Sequence, residues 1–188
     1  MQYKLILASN SPRRRELLKG LDLDFEVKTL VGVEEVYPPE LPVEQIAEFL
    51  AKLKADAYLP NLQENELLIT ADTVVCLDGK VFGKPQDEAD AKQMLQTLSG
   101  RTHQVLTGVC LMSRGKKTSF TSVSDVSFSE ISASEIDYYI QKYQPYDKAG
   151  AYGVQEWIGY VAVKHICGSY YNVMGLPIHR LYEELKQF

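Results

Sequence analysis

The stretch YKLILASNSPRRR, residues 3–15, contains a strand, a turn and the start of a helix. Its apolar run at 3–8 has the length and composition of a buried strand. Small polar residues at 9–11 then break the run, and Ser11 followed by Pro12 is typical of an N-cap and a first helical residue. We therefore predict that the chain passes from a buried strand through a short turn directly into a helix.

The same turn is a candidate anion site. The first N–H groups of a helix carry partial positive charge and attract anions. Arg13, Arg14 and Arg15 are unfavourable in that first turn unless an external anion compensates them, and guanidinium groups bind phosphate through paired hydrogen bonds. A solvated basic patch on a surface helix is the alternative.

Hydrophobic periodicity and capping signals predict the remaining elements. Helices are predicted from Pro42 to Ala57, from the cap Asp87 to Gly100, after the capping box of Ser132 and Glu135, and from Pro177 to the end. Strands are predicted at 25–30, 67–77, 80–82, 102–112, 117–128 and 161–166, and the strand at 67–77 contains a polar interruption at 70–73. Hairpins and helices alternate in this order, which favours an α/β fold with a mixed sheet.

Bulk properties exclude several classes of protein. The chain has 188 residues, a formal net charge of -5 and only three cysteines, without a CxxC pair. The acidic balance argues against a nucleic-acid polymer as partner, and the cysteines argue against a secreted disulfide scaffold. With no run of about 18 apolar residues, we expect no membrane span and a cytoplasmic protein. The length suits one domain over residues 1–188.

Asp72 lies inside the apolar segment LLITADTVV, residues 67–75. A carboxylate in such a strand is costly unless it is paired or bound to a metal. The residues leave two interpretations open: a structural partner for a buried base, or a functional acid. Oxygen ligands of this kind also suit Mg²⁺.

Three further features are candidates for ligand binding. Lys84, between Gly83 and Pro85, is a cation on a rigid turn, although the tripeptide alone also fits an ordinary turn. Lys54 lies late on the second helix, where a solvated face is the ordinary interpretation. Residues 147–155 combine small residues with charges and an aromatic ring, and Gln155 offers both a donor and an acceptor to a base. The histidines show no ligand spacing and are interpreted as structural.

Six motifs together resemble the Maf family. They are LASNSPRR at 7–14, ADTVV at 71–75, GKP at 83–85, LSGRTH at 98–103, DKAGAYG at 147–153 and NVMGLP at 172–177. Each is weak alone, but their order and spacing extend over essentially the whole chain.

The resemblance implies a fold similar to the inosine-triphosphate pyrophosphatase superfamily. This is an elongated mixed β-sheet with flanking helices, in two lobes around a central cleft, often in a homodimer. It also implies hydrolysis of a nucleoside triphosphate to the monophosphate and pyrophosphate, with Mg²⁺, Mn²⁺ or a similar divalent cation. The segment AGAYGVQ at 149–155 resembles the subtype that acts on dTTP, UTP and modified pyrimidine nucleotides.

The resemblance also assigns roles to individual residues. Substrate binding is expected from Ser9, Arg13, Arg14, Lys54, Lys84 and Gln155, metal binding from Glu35 and Asp72, and catalysis from Asp72, Glu35 and Lys84. Asp72 is expected to orient or deprotonate the attacking water. Of the adjacent acids Glu34 and Glu35, Glu35 is chosen.

Three alternatives to this function are kept. One is a 7-methyl-GTP pyrophosphatase, the sister subtype. Another is a non-catalytic nucleotide-binding regulator of cell division or septum formation, which would need the phosphate site but not the paired carboxylates. The third, a single-strand nucleic-acid binder, is disfavoured by the sequence pI of about 5.3.

Overall fold

The structure is a computed structural model that describes residues 3–29 and 32–188. Its strands are β1 Lys4–Leu7, β2 Phe25–Val27, β3 Glu66–Leu77, β4 Lys80–Phe82, β5 Thr102–Met112, β6 Lys117–Phe128 and β7 Val163–Cys167. Its α-helices are α1 Pro12–Lys19, α2 Val43–Tyr58, α3 Glu88–Leu98, α4 Ala133–Tyr143, α5 Trp157–Val161, α6 Tyr170–Met174 and α7 Ile178–Gln187. Short 3-10 turns occupy Leu59–Asn61 and Ala149–Ala151.

Within the described ranges, seven strands form one sheet with the hydrogen-bonded order β2-β1-β3-β5-β6-β7, and β4 pairs with β3. β1 runs parallel to both β2 and β3, whereas β4 is antiparallel to β3 and β7 is antiparallel to β6. The predicted α/β class with a mixed sheet and flanking helices is confirmed.

The chain divides into two compact units. Unit 1 comprises Met1–Asp72, Thr107–Ser122 and Gly175–Phe188, and unit 2 comprises Thr73–Leu106 and Val123–Met174. The long strands β3, β5 and β6 each contribute residues to both units. Asp72 is therefore the last residue of unit 1 on β3, and Thr73 is the first residue of unit 2.

Each unit has its own hydrophobic core. In unit 1, the inner face of α2 packs on strands β1, β3 and β5; this core contains Ile6, Ala8, Ala51, Ala55, Tyr58, Leu62, Leu68, Cys110 and Met112. The approach of α2 to β5 is close, since a Cβ at Gly108 would lie 2.2 Å from the Glu48 backbone nitrogen. In unit 2, α3 and α4 pack around residues that include Leu95, Phe128 and Tyr139.

Side-chain caps fix the helix starts that the sequence predicts. The Ser11 side chain accepts a hydrogen bond from the Arg14 N–H, and Asp87 accepts one from the Asp90 N–H. Ser132 and Glu135 form the full capping box at α4. These caps satisfy N–H groups that have no partner within the helix.

Some predicted boundaries are wrong. Val161, predicted to begin a strand, ends α5 instead, and β7 begins at Val163. The Gly159 N–H donates to the Glu156 carbonyl at 2.9 Å, and a Cβ at Gly159 would lie 1.8 Å from the Val154 oxygen. A glycine in this close turn lets an apolar, strand-like segment wind into a helix. α6 was not predicted. The polar residues at 70–73 lie within one continuous strand, β3, as predicted.

The three cysteines are free, with Cys76 and Cys110 buried and Cys167 exposed. Burial raises the pKa of the Cys110 thiol to about 11. No helix among the described residues is long and apolar enough to cross a bilayer.

Candidate functional site

The turn after β1 is organised by serine side chains. Ser9, which is buried, accepts a hydrogen bond from the Ser11 N–H at 3.2 Å, and Ser11 caps α1. The Arg14 guanidinium donates from Nε to the Gly175 carbonyl at 2.8 Å, which fixes the start of α1 against the loop before α7. The first turn of α1 contains no acidic side chain, so its N-terminal partial charge and its arginines add to one another.

Lys54 joins two of the predicted acids in unit 1. It lies on α2, and its Nζ is 2.5 Å from Oδ1 of Asp72 and 3.1 Å from Oε1 of Glu35. The Lys54 and Asp72 side chains are only 13% and 11% exposed, whereas Glu35 is 45% exposed. Lys54 therefore does not lie on a solvated helix face.

The burial of Asp72 follows from the continuity of β3. Every residue of this strand except Thr73 is buried, so Asp72 cannot reach bulk water freely. Thr70 meets the same constraint by donating its hydroxyl to the Ala51 carbonyl at 2.7 Å. The ammonium of Lys54 offsets the cost of the buried carboxylate.

The electrostatics of Arg14 link the arginines to these acids. Burial lowers the pKa of the Arg14 guanidinium; the negative charges of Asp72 and Glu35 oppose this shift, and the positive charge of Arg13 adds to it. Arg13, Arg14, Glu35, Lys54 and Asp72 therefore share one electrostatic environment in unit 1. Glu34 is exposed and forms no ion pair within the described part of the chain.

The donor set suits a hard divalent cation. Glu35 and Asp72 contribute carboxylate oxygens that converge on one ammonium. Among the described residues, no group of three or more His, Cys, Asp or Glu side chains could hold a metal ion. Mg²⁺ is commonly held by one or two carboxylates together with waters and substrate phosphates, so a two-carboxylate set fits a metal that arrives with a phosphate.

In unit 2 the structure brings two of the motifs together. The Gly150 N–H donates to the Gly83 carbonyl at 3.0 Å, which ties the loop at 147–153 to the turn of Lys84. The Lys84 side chain itself is exposed. Gly150 and Ala151 both have left-handed backbone, with φ of 69° and 60°. Left-handed backbone at an alanine is uncommon and strained, and strained residues of this kind cluster at active sites and ligand-binding loops.

A buried aromatic group supports the same loop. His103 shares a 2.7 Å hydrogen bond with the Tyr152 hydroxyl, and both rings pack edge-to-face on Phe128. The histidine of the LSGRTH motif is therefore structural, in agreement with the sequence-based prediction.

Gln155 follows this loop with an unsatisfied acceptor. Its Oε1 is buried and has no hydrogen-bond partner within residues 3–29 and 32–188. A buried carbonyl oxygen without a donor costs free energy. The site can recover that energy from a ligand that offers an N–H group.

Two residues of unit 2 beside this loop, Tyr139 and Glu156, were not among the predicted site residues, whereas Lys148 lies within the candidate segment 147–155. The buried Lys148 forms an ion pair with Glu156 at 3.1 Å, and the buried Tyr139 donates its hydroxyl to the same carboxylate. No sequence signal identified Glu156 as the partner of the Tyr139 hydroxyl.

Comparison with known proteins identifies the family and the fold of the chain. The family described as "Maf-like protein" matches residues 4–188. A protein of Phocaeicola vulgatus named "dTTP/UTP pyrophosphatase" is 60% identical over 99% of this chain and 96% of its own length. A protein of Bacteroides thetaiotaomicron with the same name is 59% identical over the same shares. The Staphylococcus aureus Ham1 protein structure has a TM-score of 0.56 at 18% identity, with 96% of this chain and 99% of that chain covered.

The Ham1 likeness defines the class of fold, an α/β fold shared with the Ham1 proteins. The family match over residues 4–188 and the 60% identity to the Phocaeicola vulgatus protein show that the chain belongs to the Maf family.

The burial of His103 predicts a pH dependence of stability. Burial lowers its pKa from 6.5 to about 4. The unfolded chain therefore binds a proton near pH 6.5 that the folded chain does not, and stability falls as the pH falls. Between pH 7 and 5 we expect this group to remove about 2 kcal/mol from the free energy of unfolding. Measured by urea unfolding, the free energy of unfolding of His103→Gln should fall by about 2 kcal/mol less between pH 7 and 5 than that of the unmodified protein. His165→Gln, at an exposed position, should show the same fall as the unmodified protein.

Proposed function

We propose that the protein hydrolyses dTTP and UTP to the monophosphate and pyrophosphate. Two relatives that share about three fifths of its residues over almost the whole chain are named for this activity. The observation that carries the proposal in this chain is the contact of Lys54 with both Asp72 and Glu35, beside the arginines of α1. A phosphate binder without catalysis would not need that pair of acids.

Base selection is assigned to Gln155. Uracil and thymine carry an N–H group between their two carbonyls, and the buried Oε1 of Gln155 is an acceptor in need of a donor. Cytosine has an acceptor at that ring position and would leave two acceptors facing each other. Unpaired polar groups in a closed site reject the wrong ligand strongly.

The cations bind the phosphates in this proposal. Arg13, Arg14, Lys54 and Lys84 offset the charge of the triphosphate and of the departing pyrophosphate. Ser9 contributes to the turn at the start of α1, where N–H groups favour anions.

Asp72 acts on water and, with Glu35, holds the divalent cation. When bound, such a cation neutralises phosphate charge and polarises the bond to be broken. The Asp72 carboxylate accepts a proton from the attacking water, and Lys54 fixes the orientation of this carboxylate through the 2.5 Å contact.

Several further features stay predictions. They are that residues 1–188 act as one domain, that the protein is cytoplasmic, and that it forms a homodimer. The requirement for a divalent cation is also a prediction.

A substrate panel tests the function directly. With Mg²⁺ or Mn²⁺ present, we expect one pyrophosphate per monophosphate from dTTP and UTP, measured by ion-exchange chromatography. A higher kcat/KM for 7-methyl-GTP would assign the sister subtype instead. Nucleotide binding without pyrophosphate release in any metal would favour a regulator.

Replacement of Asp72 by asparagine preserves size but removes the acceptor of the water proton. We expect kcat to fall by about 100-fold or more at saturating metal. Asp78→Asn is the matched control, since Asp78 lies in the exposed turn between β3 and β4, where it pairs with Arg101. Near-full activity of Asp72→Asn would contradict the assignment.

The adjacent acids provide a test of metal binding. Glu35→Gln should raise the Mg²⁺ concentration for half-maximal activity by about tenfold, because one oxygen ligand loses its charge. Glu34→Gln should leave it unchanged, because only Glu35 contacts Lys54. A larger or equal increase in the Mg²⁺ requirement for Glu34→Gln would contradict the assignment of Glu35 as a metal ligand.

A further inference from the structure

The segment that contains Gln155 is held from both sides by one phenol. The Tyr139 hydroxyl on α4 accepts a hydrogen bond from the Gly153 N–H at 3.0 Å. The same hydroxyl donates a hydrogen bond to Oε2 of Glu156. Gly153 lies two residues before Gln155, and Glu156 follows it directly. One oxygen atom thus fixes the backbone before Gln155 and the side chain after it.

The second oxygen of Glu156 is also occupied. Oε1 lies 3.1 Å from Nζ of Lys148, which in turn contacts Asp147 at 2.7 Å. Lys148 is buried, and the Glu156 side chain is only 18% exposed. Buried, fully paired groups hold their geometry more rigidly than solvated ones, so Glu156 is a fixed point.

The Gln155 amide lies against the Gly153 backbone. A Cβ at Gly153 would lie 2.9 Å from Cδ of Glu156 and 3.0 Å from Nε2 of Gln155. The two side chains therefore lie directly against the Gly153 backbone, which the Tyr139 hydroxyl holds in place.

We propose that Tyr139 is a positioning residue for base selection: its hydroxyl clamps residues 153 and 156 so that the Gln155 amide meets the pyrimidine ring in one orientation. This inference rests on the proposed function and adds to it a determinant of specificity that lies on α4. Tyr139 does not contact the reacting phosphates in this proposal, so it acts on discrimination and not on bond cleavage.

The ionisation of Tyr139 suits this task. Burial, with the hydrogen bond to Glu156 and the charge of that carboxylate, raises the pKa of the phenol well above its usual range. The hydroxyl keeps its proton and donates to Glu156 at every pH at which the enzyme would be assayed.

Tyr139→Phe tests the proposal, since it removes one oxygen and keeps the ring. We expect KM for UTP to rise about tenfold, kcat to stay within about twofold, and the ratio of kcat/KM for UTP over CTP to fall about tenfold. Tyr143→Phe is the matched control: its ring stacks on that of Tyr139 at 5.1 Å, on the same helix. It should leave the ratio unchanged.

The ratio keeps the test valid if the variant is less stable, because a loss of folded protein lowers both rates equally. Glu156→Ala removes the acceptor of the phenol proton and should lower the ratio in the same direction. An unchanged UTP over CTP ratio in both variants would overturn the inference while the proposed function stands. Failure of the unmodified protein to release pyrophosphate from UTP would instead overturn the function.

Discussion

The ion pair of Lys54 with Asp72 is the interaction on which the candidate site depends. β3 is buried along nearly its whole length, and a carboxylate in its middle would be strongly unfavourable without a cation beside it. α2 supplies that cation from a side chain that is itself mostly buried. Removal of Lys54 would take away the cation in contact with the buried Asp72 carboxylate, so helix and strand are constrained to keep one relative position in unit 1.

The candidate site residues belong to two compact units. Unit 1 contains the arginines, both acids and Lys54, whereas unit 2 contains the Lys84 turn and the loop that leads to Gln155. Each set is supported by its own core. The residues proposed to bind phosphate and the residue proposed to select the base therefore belong to units with separate cores, and β3, β5 and β6 contribute residues to both units.

Sequence reasoning predicted most of the fold, since caps and periodicity are local. Ser11, Asp87 and Ser132 each begin a helix where their side chains predicted it. The error at Val161 arose because an apolar segment can form a strand or a helix, and the close turn at Gly159 depends on contacts that spacing does not reveal.

The sequence predicted which residues to compare in the structure, but it did not predict their contacts. Asp72 was open between a structural and a functional interpretation, and it does have a buried base as partner. Of the two adjacent acids, Glu35 is the one that contacts Lys54. Tyr139 and Glu156 escaped notice because their hydrogen bond joins a helix to a distant loop, and no short-range pattern encodes such a pairing.

The hydrogen bond between Gly150 and Gly83 makes it possible to measure the role of the Lys84 charge separately. Because it joins main-chain atoms only, it does not depend on which side chain residue 84 carries. The exposed lysine can therefore be shortened, neutralised or chemically modified while the turn that presents it keeps its anchor. Turnover measured across such a series would report the contribution of a single positive charge, separated from the architecture around it.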